Sequence, residues 1–406
     1  MTPILTTLVP RSFDPLQAAV EFRAQWIRPS DVFSVLLILG GDVVARALAQ
    51  VAGSGLSTVA FSFGWATYAI SALVSAVGEN KLMVLSPDCR CKVINGKSGY
   101  AKDNSSWIIA RIVRDYDHWR HPDVEAKMTE VLKKRQKQLK LKDPNAKLPP
   151  IAGLIVSIYE PSRTVKAGTV KRDSVYWIGI PVMVVQLGIA AIPCGLFGDW
   201  GIFIITTCGI VLSLTTGLLP QWKKEKWACR SNTKHSFILT RGNGSQHAIV
   251  VLGDGHGFCL EDLASGQGNV MVKTDTQTRI ALLALATLWT LLLITAAGLK
   301  ANSWFLLAVG GIGILQNIYV AGAQRKPENF GVPLDYRDVI GDPSAMETLF
   351  QVEEKYEGVG RSMLGEFFPG CLRENEYLRW EALKNTRTEA EEKSGRRSDA
   401  GNGLVG

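Results

Sequence analysis

Little in this sequence marks an enzyme. It has only five histidines in 406 residues, and the one close pair is His118 and His121. No D-D-x-x-D or N-D-x-x-D motif occurs, so prenyl transfer has no metal-binding signature. Gly253-Asp-Gly-His-Gly does not make a G-x-G-x-x-G either, because the last required position is Phe258. Gly96-Lys97-Ser98 lacks the first Walker glycine, because Cys91 stands there. No nucleotide or other cofactor is therefore expected. The seven cysteines are odd in number and show no framework spacing, which argues against disulfide stapling. Cys89 and Cys91 form C-x-C rather than the C-x2-C of common zinc knuckles, and read as ordinary reduced thiols. Pro3, Pro10 and Pro15 interrupt the apolar residues at the start, so no signal peptide is expected there.

What the sequence does have is long apolar blocks alternating with charged segments. The 47% hydrophobic content is ordinary, but a soluble domain would disperse it at helix or strand period. A spanning helix needs about 20 mostly apolar residues. Six segments qualify: 32–52, 56–77, 176–197, 201–220, 280–299 and 302–323. Residues 53–55, 198–200 and 300–301 join them two by two. The expected fold is therefore an all-α membrane protein with six transmembrane helices in three tight hairpins, plus a small cytosolic β-hairpin and cytosolic helices. The hairpins cover 32–77, 176–220 and 280–323, leaving 1–31, 78–175, 221–279 and 324–406 on one side. That side carries Arg28, Lys81, Lys171, Arg172, Lys223 and Lys224 close to the spans, whereas the short turns carry only Lys300. The asymmetry places it, with both termini, in the cytosol. Tyr176, Trp177 and Trp222 anchor the cytosolic edge, Trp200 and Trp304 the opposite one. Mitochondrial carriers also have three hairpins, but their P-x-[DE]-x-x-[KR] motif is missing here.

The net charge of +8 lies between the apolar blocks, which points to an anionic membrane face or plain solvation and not to nucleic acid. Residues 124–142 read as a basic helix with a ragged apolar stripe. It suits anionic lipid and equally suits packing on its own domain. Phe237–Thr240 and residues 248–252 flank turn chemistry at Arg241-Gly-Asn-Gly, a β-hairpin signal. The chain ends in a charged, glycine-rich stretch with the composition of a disordered tail. Protein partners or self-association remain open alternatives to that reading.

Several phrases carry a resemblance: RPSDVFSVLLILGGDVVARALAQ, SALVSAVGENKLM, PDCRCKVINGKSGYA, SIYEPSRTVKAG and LPQWKKEKWAC. They resemble a family of multi-pass membrane proteins of filamentous fungi, over most of residues 26–253. The resemblance implies a lineage and a membrane. It transfers no activity and no catalytic residues.

Candidate chemistry lies inside the spans, where ionisable groups are costly and functional. Asp42 and Arg46 sit four residues apart in the first, able to pair on one face, and the expectation is that this face points into the bundle. Gln186, Gln316 and Asn317 complete a candidate polar cluster. His118 and His121 form a weak metal or acid–base candidate. Three functions compete. A structural or accessory membrane protein leads, in which the polar pair locks helices. The alternatives are a transporter of a small solute or ion, and a membrane enzyme for an isoprenoid or lipid-like substrate with Asp42 as buried acid.

Overall fold

The computed structural model describes residues 30–83, 86–266, 273–299 and 301–385, with side chains from residue 40 onward. The 1–31 segment (but for its last two residues), Lys300 and the glycine-rich end of the tail lie outside them. The chain divides into two compact units. One, here the helical unit, comprises Met1–Met83, Arg172–Glu225 and Lys273–Ala323. The other, the sheet unit, comprises Val84–Lys171, Lys226–Val272 and Gln324–Gly406.

Among the described residues of the helical unit, three helices are long and apolar enough to cross a membrane: Ser174–Phe197, Thr276–Ala297 and Ser303–Gly322. Gly201–Gly217 followed by Pro220–Lys226, bent by 42°, makes a fourth if the pair is one span. Local chemistry sets their ends. Asp173 and Asp275 cap two starts, accepting from the backbone N–H of Tyr176 and Thr278 at 3.1 and 2.8 Å. Gly198, at φ 68°, closes Gly179–Phe197 in the left-handed conformation that glycine tolerates.

The expectation of six transmembrane helices is not supported. The first segment is helical over Ser30–Val51, 22 residues, though it is not among the three. The second fails for a clear reason. Only Gly64–Gly78 is helical there, 15 residues, while residues 57–62 have no regular structure. The missing turns are not frayed into solvent: Ser57, Thr58, Val59, Ala60, Phe61, Ser62 and Phe63 are all buried. An apolar run signals burial, and helix and buried non-helical chain bury it equally well. Around this segment Trp289 stacks on Trp65 at 5.6 Å and on Phe61 at 6.1 Å.

The sheet unit corrects the all-α expectation. The expected hairpin is present as β4 (Phe237–Thr240) and β5 (His247–Val251). It belongs to a six-stranded mixed sheet with β1 (Lys92–Asn95), β2 (Ala101–Asp103), β3 (Leu154–Pro161) and β6 (Leu334–Asp342), ordered β2-β1-β4-β5-β3-β6. Only β3 and β5 pair in parallel. The basic stretch forms the helix Pro122–Lys140, capped by His121. Val124 and Val131 are its buried residues, it packs on β3 and β6, and Lys134 reaches Asp342 at 2.5 Å.

Candidate functional site

The Ser30–Val51 helix ends in a tight turn with Gly53 and Gly55 at φ 94° and 102°. The chain then runs as the buried non-helical segment. Its backbone groups lack helical partners, so something else must satisfy them. Two amide side chains do, and a third holds a side chain beside them. Gln316 accepts from the Ala60 N–H through Oε1 (3.0 Å) and donates from Nε2 to the Thr58 carbonyl (3.1 Å). Gln186 donates to the Phe61 and Val309 carbonyls at 2.7 and 2.8 Å. Asn317 donates to the Ser62 hydroxyl at 2.9 Å. The Trp65 indole N–H meets the Ala60 carbonyl at 2.9 Å, and the Thr58 hydroxyl donates to the Tyr176 carbonyl.

Close approach is made possible by glycines on the surrounding helices. A Cβ on Gly313 would stand 1.7 Å from the Phe61 carbonyl oxygen, and one on Gly179 1.8 Å from that of Thr58. On Gly209 it would strike the Phe61 ring at 2.5 Å. Small residues let backbone meet backbone here, as between close-packed membrane helices.

Four oxygen atoms in this seam are left over. Ser57 Oγ, Gln186 Oε1, Thr206 Oγ1 and Asn317 Oδ1 have no hydrogen-bond partner among the described residues, and all four residues are 0% exposed. For Gln186 the orientation is fixed by chemistry. Its nitrogen already serves two carbonyls, and turning the amide over would set oxygen against oxygen. The unused atom is therefore the acceptor. No Asp, Glu, Lys, Arg or His of the helical unit is buried among the described residues. The seam is polar and formally uncharged.

Of the candidate cluster, the structure brings together Gln186, Gln316 and Asn317 and leaves the other two outside. Arg46 and Asp42 do pair, at 2.8 Å, but their side chains are 40% and 66% exposed. The expectation that this face points into the bundle is thus corrected. Gly40 and Gly41, just before the pair, are what face inward, against Gly64 and Thr67. Sequence reasoning missed Ser57, Thr58 and Ser62. The alternation of Thr58 and Ser62 with Val59, Phe61 and Phe63 was visible, but it lay inside a run apolar enough to read as helix.

His118 is exposed, and His121 is committed elsewhere. Its Nδ1 accepts from the Asp123 N–H at 3.3 Å and its ring stacks on Tyr336 at 4.0 Å. The described residues contain no group of three His, Cys, Asp or Glu placed to hold a metal ion. Nearby Asp115, fully buried, is held by the Arg114 side chain and the Arg325 backbone N–H at 2.6 and 3.1 Å. These arginine and aspartate contacts account for much of the charge in the Arg114–Asp123 stretch.

No family model, no curated protein and no solved structure matches this chain.

Proposed function

We propose that this is an integral multi-pass membrane protein whose helical unit binds and passes a small hydrogen-bond-donating solute, neutral or monovalent, along residues 56–63. One observation carries the reading: a buried non-helical segment, clamped by three amides, beside four oxygens without hydrogen-bond partners among the described residues. At membrane depth, non-helical backbone is tolerated where it is enclosed in protein or lines a polar cavity, and discontinuous segments of this kind form substrate sites in transporters. Leaving a buried acceptor unsatisfied costs about 1–3 kcal/mol, so the Gln186 and Asn317 amide oxygens call for a guest that donates, while the Ser57 and Thr206 hydroxyls can donate to it or accept from it. An uncharged lining disfavours anions and divalent cations, whose desolvation it cannot offset.

The competing readings lose their main support. Asp42 is exposed and is no buried acid for a membrane enzyme. The Asp42–Arg46 pair is likewise not the lock at the centre of the bundle. In the proposed topology the charged segments and both termini are cytosolic, as the excess of Lys and Arg beside the spans on that side favours.

The test is solute flux in liposomes reconstituted with the purified chain, using urea and ammonium as probes and stopped-flow light scattering as readout. Flux of either probe above that of empty liposomes, lost in Gly313→Ala, supports the proposal. Flux equal to empty liposomes for both overturns it.

A further inference from the structure

The sheet unit contains a second place where side chains converge without an assigned task. Between β4 and β5 the chain turns through residues 241–246, with Gly242 and Gly244 at φ 98° and 86°. Beneath this turn lies a cavity of about 390 Å³, within the size range of small-molecule sites. Its floor is apolar: Val113, Leu239 and Ile249, each at most 5% exposed. Tyr116 forms one wall. Its hydroxyl is tied to Ser157 at 2.7 Å, so the ring is fixed, and it meets the His247 ring edge-to-face at 5.3 Å.

The charges in this cavity do not cancel. Asp117 lines it but is paired with Arg120 at 2.9 Å. Arg241 also lines it, is exposed, and makes no hydrogen bond or ion pair among the described residues. Burial holds the His247 imidazole below its usual range, so it adds no charge at neutral pH. One uncompensated guanidinium therefore stands over an apolar, aromatic-walled floor.

We propose that this cavity binds a small organic monoanion, a carboxylate borne on an apolar or aromatic body. Arg241 would hold the carboxylate through its paired N–H donors, the geometry guanidinium groups match best. The body would lie on Val113, Leu239 and Ile249 against the Tyr116 ring. Asp117 at the same cavity disfavours ligands of higher negative charge, such as polyphosphates, by repulsion. Neither the cavity nor its charge depends on solute passage through the helical unit.

The experiment uses the full chain in lipid nanodiscs and fluorine NMR line broadening, with protein-free nanodiscs as blank. The probes are 4-fluorobenzoate and 4-fluorobenzylamine. Expected is binding of the benzoate and not the benzylamine, weakened about tenfold in Arg241→Gln, the loss that one charge-assisted hydrogen-bonded contact represents. Lys97→Gln, which removes an exposed cation from the same unit, should leave it unchanged. Because Arg241 is exposed and unpaired, its replacement should leave the unfolding midpoint in place. Benzylamine binding as tightly, an equal loss in Lys97→Gln, full affinity in Arg241→Gln, or no benzoate binding at millimolar probe would each overturn the proposal.

Discussion

Gln186 and Asp42 show how differently a polar residue in an apolar run can be used. Asp42 draws attention because it is charged, yet it is solved locally by Arg46 one turn away, on an exposed face. Exposed i,i+4 pairs contribute about 0.3–0.5 kcal/mol. Gln186 is neutral and fully buried, and two backbone carbonyls depend on it. Gln186→Leu should destabilise the chain by about 1–3 kcal/mol for each carbonyl it orphans, measured as thermal unfolding in detergent. The Asp42→Asn, Arg46→Gln double variant should unfold within about 0.5 kcal/mol of the parent and keep its solute flux. A destabilised double variant would show that the outer pair matters more than its exposure indicates. His247 gives a pH signature in the sheet unit. Its pKa is lowered by burial, so the native state resists a proton that the unfolded chain accepts. Stability is then full above the ordinary histidine value of 6.5 and falls as pH drops below it. The limiting slope is about 1.4 kcal/mol per pH unit. Unfolding midpoints at pH 5 and pH 8 should differ more in the parent than in His247→Gln.

At the level of elements, the decisive feature is the break before Gly64. Hydropathy alone marks residues 56–77 as one span, and it was legible as buried. What it could not show was that only Gly64–Gly78 is helical. The partners that make a non-helical stretch affordable, Gln186, Gln316 and Gly313, lie more than a hundred residues away. Gly313 is where this can be tested with least ambiguity. Gly313→Ala puts a methyl group 1.7 Å from the Phe61 carbonyl oxygen, and backbone cannot move aside as a flexible side chain would. Gly311→Ala, two residues earlier on the same helix, meets nothing within 4 Å. Gly313→Ala should lower the unfolding midpoint and abolish flux, and Gly311→Ala should do neither. Equal behaviour of the two would mean that the segment does not sit against that helix.

At the scale of the whole chain, the apolar blocks were readable and the sheet was mostly not. The hairpin had its turn signal at Arg241-Gly-Asn-Gly. The strands that complete the sheet did not: β2 has three residues, β1 four, and β6 reads Leu-Asp-Tyr-Arg-Asp-Val-Ile-Gly-Asp, with acids and an arginine on an edge strand. β1 and β2 pair locally, but the β1–β4 and β3–β6 pairings join segments more than a hundred residues apart, which local pattern does not encode. Orientation can be checked at a sequon. Asn104 is a poor reporter, since it is nearly buried and its amide donates to the Ser106 carbonyl at 2.8 Å. Asn243 is exposed in Asn243-Gly-Ser. Expressed in a eukaryotic host, the chain should carry no glycan at Asn243, and a glycosidase-sensitive mass shift there would reverse the proposed topology.

The most direct measurement is an experimental density map of the chain in nanodiscs, at a resolution that shows ordered solvent. A donor-binding seam requires an ordered water or solute about 3 Å from Gln186 Oε1, beside a non-helical segment at residues 57–62. A map in which residues 56–77 form one continuous helix, or in which protein donors saturate that oxygen, would contradict it.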